Sequence, residues 1–182
     1  MKLYTIGHSN HSVDKLIRLL EDNHVTTLVD VRTVPYSRYN SQFNKENLEF
    51  LLPQREMQYV YAGKYLGGRP SDPACYKSEV LPREGTDYLH EVDYPEVMRR
   101  DWFVRGVARL LEMADEHTTA IMCSEENPVE CHRHHLIAQY LLENHSEVDV
   151  RHIRGDGTVY SARSIRESLD KPVAVQPTLA GL

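Results

Sequence analysis

The apolar positions of this chain follow two alternating rhythms, short unbroken runs and longer stretches with helical spacing. The first run, "KLYTIGHS", reads as a strand ending at Gly7, after which Ser12 is placed to cap a helix with the stripe Val13, Leu16, Ile17, Leu19 and Leu20. Val25, Leu28, Val29 and Val31 then form a run closed by Pro35, the composition of a strand buried on both faces of a parallel sheet. "SQFNKENLEFLLPQ" predicts a short helix capped by Asn44, and "MQYVYAGKYLGGRP" a third strand running into a glycine-proline turn. A helical stripe returns through Phe103, Val107, Leu110, Leu111 and Ala114, and "TTAIMC" follows it as a fourth strand. Beyond a polar loop containing Pro128, "HLIAQYLLEN" predicts a helix ending near Asn144, "VDVRHI" a last strand and "RGDG" a turn.

Strands that alternate with helices predict an α/β domain, a mostly parallel sheet of about five strands with helices on both faces. Residues 71–100 carry no clear period and hold Pro73, Pro82 and Pro95, so they read as an irregular excursion over the strand ends. The expected organisation is one domain over 1–171 and a surface tail over 172–182.

Composition narrows the function classes. At 182 residues with 41% hydrophobic and 26% charged positions, the chain is long enough for one well-buried domain. A formal charge of -6 and a pI near 5.9 exclude a general attraction to polyanions, so a nucleic-acid contact would need a local basic surface. No apolar stretch is long enough to span a membrane and no secretory leader pattern opens the chain, which points to a cytoplasmic protein with no membrane partner. Three cysteines do not make a disulfide framework; Cys75, Cys123 and Cys131 are expected as thiols or ligands.

Candidate chemistry gathers after the strands, where the ligands of such sheets bind. Gly7, His8 and Ser9 follow the first strand, with His8 a candidate acid or base. Asp30 and Arg32, two apart on a strand, share a face, so they pair with each other or Asp30 orients Arg32 toward a ligand; Tyr36, Ser37 and Arg38 line the same mouth. Gly67 and Gly68 permit close backbone approach to a ligand. The richest stretch is "CSEENPVECHRHH", residues 123–135. Here Cys123 ends a strand, and Cys131, His132 and Arg133 are expected in the first turns of the next helix, where a thiolate is favoured. Arg133 is a candidate bidentate grip on an anion, and Glu125 is taken as the one glutamate of three that turns inward to move protons. Cys123, Cys131 and His132 together offer thiolate and imidazole ligands for a transition metal, although they lack standard zinc spacing, and the sequence requires no cofactor.

"YTIGHS", "DVR" followed by a proline and "SRYNSQF", "YLGG", and "MCSEENPVECHR" together resemble the family called domain of unknown function 488, over roughly residues 3–155. By position the resemblance takes in Gly7, His8 and Ser9, then Asp30, Arg32, Pro35 and Ser37, then Leu66, Gly67 and Gly68. It continues through Cys123, Glu125, Pro128, Cys131, His132 and Arg133, and it implies an α/β fold but no settled activity. The outline of "VDVR" and "AIMC" is also faintly similar to rhodanese domains, but the loop from Cys123 to Arg133 is longer and more acidic than theirs.

The leading expectation is an enzyme acting on a nucleotide, nucleobase or other small polar or anionic ligand, with Cys123, Glu125, His132 and Arg133 at its centre and His8, Asp30 and Arg32 opposite. One alternative is a sulfurtransferase or phosphatase-like enzyme that uses Cys123 as nucleophile. Another is a non-catalytic module that binds a partner protein, or nucleic acid through residues 151–171, where Arg151, Arg154, Arg163, Arg166 and Lys171 make the chain locally basic.

Overall fold

In the computed structural model, which describes residues 1–83 and 85–169, the alternating runs become strands and helices in the expected order. β1 (Lys2–Gly7) leads into α1 (Val13–Asp22), and the Ser12 hydroxyl accepts the Lys15 N–H at 3.2 Å, as a capping serine should. β2 (Thr27–Asp30) is buried along its whole length. Asn44 precedes α2 (Lys45–Leu51) without capping it through its side chain; its Oδ1 accepts the Ser37 N–H at 2.7 Å and ties the loop after β2 to the helix start. β3 (Gln58–Tyr61) is followed by α3 (Gly63–Leu66).

The excursion over 71–100 is more ordered than its sequence suggests. It holds α4 (Tyr88–Glu91) and α5 (Tyr94–Met98), and an isolated antiparallel bridge joins Tyr76 to Val92. Cys75, Tyr76, Val92 and Val97 are buried in the core, so the segment is pinned from beneath. Next come α6 (Asp101–Glu116) and β4 (Thr119–Cys123), which is buried at every residue. A π-helical turn (Arg133–Ala138) runs on into α7 (Gln139–Asn144), and β5 (Asp149–Ile153), β6 (Val159–Ser161) and α8 (Ala162–Leu169) complete the described chain. The tail expected over 172–182, with Lys171, lies outside the described residues.

The sheet has six strands in the order β3-β2-β4-β1-β5-β6. All pairings are parallel except β5 with β6, an antiparallel hairpin across the turn where Gly157 has φ 87°. Expecting about five strands missed β6, whose three residues are too few to show a period. One face is covered by Phe103, Val107 and Leu110 of α6 with Leu136, Ile137 and Leu141, packed on Leu3, Val29, Ile121 and Val150. The other is covered by Leu16, Ile17 and Leu20 of α1 with Phe43 and Leu48, packed on Ile6, Leu28, Ala120 and Met122. Each such buried side chain contributes about 1.5–3 kcal/mol of transfer energy before entropy is counted. Among the described residues no helix is long and apolar enough to cross a membrane.

The strand order decides what can meet. β4 is central, with β1 on one side and β2 on the other, and the register sets Gly7 beside Cys123 and Asp30 beside Met122. The polar groups that follow β1, β2 and β4 therefore emerge at one rim.

Candidate active site

Beside β4 the chain is held by backbone bonds: the His8 N–H donates to the Cys123 carbonyl at 3.0 Å and the Ser9 N–H to that of Ser124 at 2.8 Å. Gly7 is needed here, because a Cβ on it would lie 1.7 Å from the Glu125 carbonyl oxygen. His8 is buried, stacked on Phe43 with ring centroids 4.4 Å apart. Its Nδ1–H donates to the Ser9 carbonyl at 2.7 Å, and its Nε2 accepts from Arg32 Nη1 at 3.1 Å. Burial, opposed by the Ser9 bond and reinforced by the Arg32 charge, lowers its pKa to about 4. Both ring nitrogens are thus engaged within the protein, and His8, expected as an acid or base, is not among the residues that line the cavity at this rim.

Asp30 and Arg32 form a buried, bidentate pair with Nη2 to Oδ2 at 2.6 Å. Asp30 also accepts from the Tyr59 hydroxyl at 2.7 Å. Arg32 donates Nε and Nη2 to Asp30, Nη2 to the Phe43 carbonyl at 2.7 Å and Nη1 to His8, so four of a guanidinium's five N–H groups are taken. The remaining N–H, on Nη1, belongs to a residue that lines the cavity.

The loop after β4 departs from expectation in two ways. Cys131 does not occupy a helical turn: it is extended, with φ -143°, whereas His132, at φ -59° and ψ -23°, and Arg133 open the helix as expected. The Arg133 N–H nevertheless reaches the Cys131 sulfur at 3.5 Å, so that thiol closes the helix start. Arg133 does not grip an anion either. Its side chain is fully buried, Nη1 donates to the Glu125 carbonyl and Nη2 to the Glu126 carbonyl at 2.6 Å, so the guanidinium braces the loop from within. Sequence shows an arginine's charge and not its burial, which is why the two uses could not be told apart. Of the three glutamates, Glu126 is bound to Arg154 at 2.9 and 2.7 Å and to the Gly155 N–H, and these bonds hold its carboxyl down at about 2. Glu125 lines the cavity although much of its side chain is exposed, and partial burial with the nearby Cys131 sulfur pushes its carboxyl above the usual value.

Cys123, Cys131 and His132 converge: His132 Nδ1 is 3.5 Å from one sulfur and 3.7 Å from the other, and its Nε2 lies 3.2 Å from the Val31 carbonyl. Gly68 packs flat against this ring, since a Cβ there would lie 2.6 Å from Cγ. The thiols share charge unequally. The Cys123 thiol, bonded to Cys131 and buried, is pushed well up; burial also opposes a Cys131 thiolate, but the Cys123 bond, His132 and Arg133 outweigh it and bring Cys131 well down. The direction favours a thiolate at Cys131, whereas the cysteine named from the sequence as nucleophile is Cys123.

These groups form the floor of a cavity of about 450 Å³, within the range of small-molecule sites. Of the expected ligand-binding residues, Arg32, Tyr36, Ser37 and Gly68 line it with Cys123, Glu125, Cys131 and His132. Gly7 and Gly67 are not among the lining residues and sit in tight contacts, and Arg38 is turned to the Tyr39 hydroxyl at 2.6 Å. Ser9 bonds Asn10 at 3.4 Å outside it. The sequence reading missed Thr33, Arg69 and the roof, which Thr86, Asp87, Tyr88, Leu89 and Tyr94 supply from the excursion. Arg69, directly after the paired glycines, was the one with a local signal; its guanidinium lies 4.5 Å from the Tyr88 ring centre.

Two further histidines went unread. Gln139 Nε2 donates to His134 Nε2 at 3.3 Å, which leaves His134 Nδ1–H to donate to His152 Nε2 at 3.1 Å and His152 Nδ1–H to Thr5 Oγ1 at 2.7 Å. The basic stretch after residue 150 is largely paired: Arg151 with Asp149, Arg154 with Glu126 and Arg166 with Glu143. Those pairings weaken the charge that a phosphate track would need.

Comparison with known proteins gives one match. The family model described as Domain of unknown function DUF488 covers residues 12–141, a span that starts after "YTIGHS" and so is shorter than the 3–155 read from motifs. No curated protein and no solved structure matches the chain. The rhodanese outline is not among these findings.

Proposed function

The chain belongs to the family described as domain of unknown function DUF488, and since that membership carries no reaction, we propose from the geometry that it is an enzyme acting on a small polar ligand of the nucleobase or nucleotide class. The observation that carries the reading is the meeting of two thiols and an imidazole on the floor of one cavity whose walls bear arginine, tyrosine and carboxylate side chains. Arg69 and the free N–H of Arg32 suit carbonyl or phosphate oxygens. Tyr36, Tyr88 and Tyr94 offer aromatic surface on which a planar base can stack. Glu125 is the proton carrier, its raised pKa moving it toward the range in which a carboxyl exchanges protons near neutrality.

The test is a thermal-shift screen with nucleobases, nucleosides, nucleoside monophosphates and inorganic phosphate, followed by chromatography for products of any binder. Glu125→Gln is expected to reduce turnover by about a hundredfold or more while binding persists. A protein stabilised by none of these compounds is not what we propose.

A second reading, thiol chemistry of the sulfurtransferase or phosphatase kind, is favoured by the lowered Cys131 pKa. It predicts that alkylating Cys131 abolishes turnover while Glu125→Gln changes little.

A further inference from the structure

We propose that Cys123, Cys131 and His132 bind a zinc-type divalent cation whose fourth coordination position opens into the cavity. This deepens the enzymatic reading and rests on it only for the use of that open position. The cation site itself stands on the following geometry.

The donor atoms of the three residues lie within 4.8 Å of one another. A tetrahedral metal with zinc's bond lengths, about 2.3 Å to sulfur and about 2.0 Å to nitrogen, separates the two donors by about 3.5 Å. His132 Nδ1 stands 3.5 Å from the Cys123 sulfur and 3.7 Å from that of Cys131, so both nitrogen–sulfur edges already have the length that such an ion demands.

The imidazole is also presented correctly. The Val31 carbonyl can only accept, so His132 Nε2 carries the hydrogen and the bare lone pair of Nδ1 faces the sulfurs. A backbone carbonyl fixing the remote nitrogen is the usual support of a ligand histidine. Gly68, seated against the ring, leaves it little room to rotate.

Charge and burial agree with this. All three residues are buried, at 7%, 2% and 9% exposure. Two adjacent thiolates in such a place repel each other, and a divalent cation neutralises both. Binding forms two metal–sulfur bonds and one metal–nitrogen bond, displaces the Cys123 thiol proton and any that Cys131 still carries, and changes no oxidation state. Among the described residues no fourth histidine, cysteine or carboxylate joins the cluster. Three protein ligands beside a cavity is the pattern of a catalytic centre, where water or substrate completes the shell; a structural zinc would be closed by four. Cys75, the remaining thiol, stands outside the group.

The experiment uses the full chain, purified reduced and without chelator. Elemental analysis should find about one zinc per chain, and exchange for Co²⁺ should give the sulfur-to-cobalt charge transfer and visible bands of a tetrahedral thiolate site. Cys123→Ser and Cys131→Ser are each expected to weaken Zn²⁺ binding by at least about a hundredfold, whereas Cys75→Ser leaves it unchanged. Should the serine variants not fold, the wild-type protein still decides: with zinc removed, two additional thiols must become reactive toward a disulfide reagent. A reduced protein that is metal-free as purified, takes up no added Zn²⁺ and shows no such difference overturns the site. Nucleotide binding by that metal-free protein would leave the enzymatic reading standing alone. A stoichiometric metal without a response to any compound in the screen would remove that reading and uphold the site.

Discussion

Asp30 holds Arg32 at three points, accepting Nε at 2.9 Å, Nη2 at 2.6 Å and the Arg32 backbone N–H at 3.0 Å. Both side chains are buried, at 0% and 5% exposure, so neither can lose the other and turn to water. Asp30→Ala is expected to destabilise the protein by about 3–5 kcal/mol, read from urea unfolding. The double variant Asp30→Ala, Arg32→Met should be less damaging than the sum of the two single changes. Strict additivity would mean that the pair is not coupled.

Arg133 supports a loop that has little apolar packing of its own. Arg133→Met keeps the volume and removes the donors to the Glu125 and Glu126 carbonyls, at an expected cost of about 3 kcal/mol. Amide exchange at Ser9, whose N–H is bonded to Ser124, should accelerate beyond what the global change explains. An unchanged Ser9 amide would mean that the loop stands without its brace.

Gly7→Ala tests the closeness of β1 to the same loop. Its methyl would meet a carbonyl oxygen 1.7 Å away, and backbone cannot yield as a side-chain tip can. We expect a loss of about 2–4 kcal/mol in denaturant unfolding, large for the addition of one carbon. Wild-type stability in this variant would place the loop elsewhere.

His152 gives the protein an acid sensitivity of known sign. Burial first, then the charges of His134, Arg133 and Arg154, lower its pKa to about 2 from an ordinary 6.5. The unfolded chain therefore takes up a proton below pH 6.5 that the folded chain refuses. Stability from this group is complete above pH 6.5 and falls on acidification, by at most about 1.4 kcal/mol per pH unit. His152→Gln should be less stable at neutrality, having lost the Thr5 or His134 bond, yet show a shallower decline toward acid. Urea unfolding from neutral to mildly acidic pH measures both slopes, and parallel slopes would contradict the assignment.

What the sequence made legible was whatever burial writes locally. The run "LVDV" read as a doubly buried strand, because a parallel sheet covered on both faces tolerates little else, and "TTAIMC" as a strand from its apolar run, so the polar groups after them could be located before their neighbours were known. Their convergence depended on β4 lying between β1 and β2, which no local pattern encodes. Arg133 and Asn44 were placed correctly along the chain but misjudged in use, because their partners are backbone groups seven or eight positions away that only the fold of the loop brings near. His134 and His152, eighteen positions apart, become partners only once the helix lies on the sheet. Tyr88 and Tyr94 were hidden because the stretch that carries them has no periodicity.

That division has an evolutionary side. The cavity floor grows out of the frame, so a change there endangers folding, whereas α4 and the start of α5 meet the cavity from a segment anchored elsewhere by Cys75, Tyr76, Val92 and Val97. If the cavity binds the ligand we propose, exchanging Thr86, Asp87 or Leu89 would alter which molecule is admitted without disturbing the floor, and a descendant with a new diet would need to rewrite only the canopy.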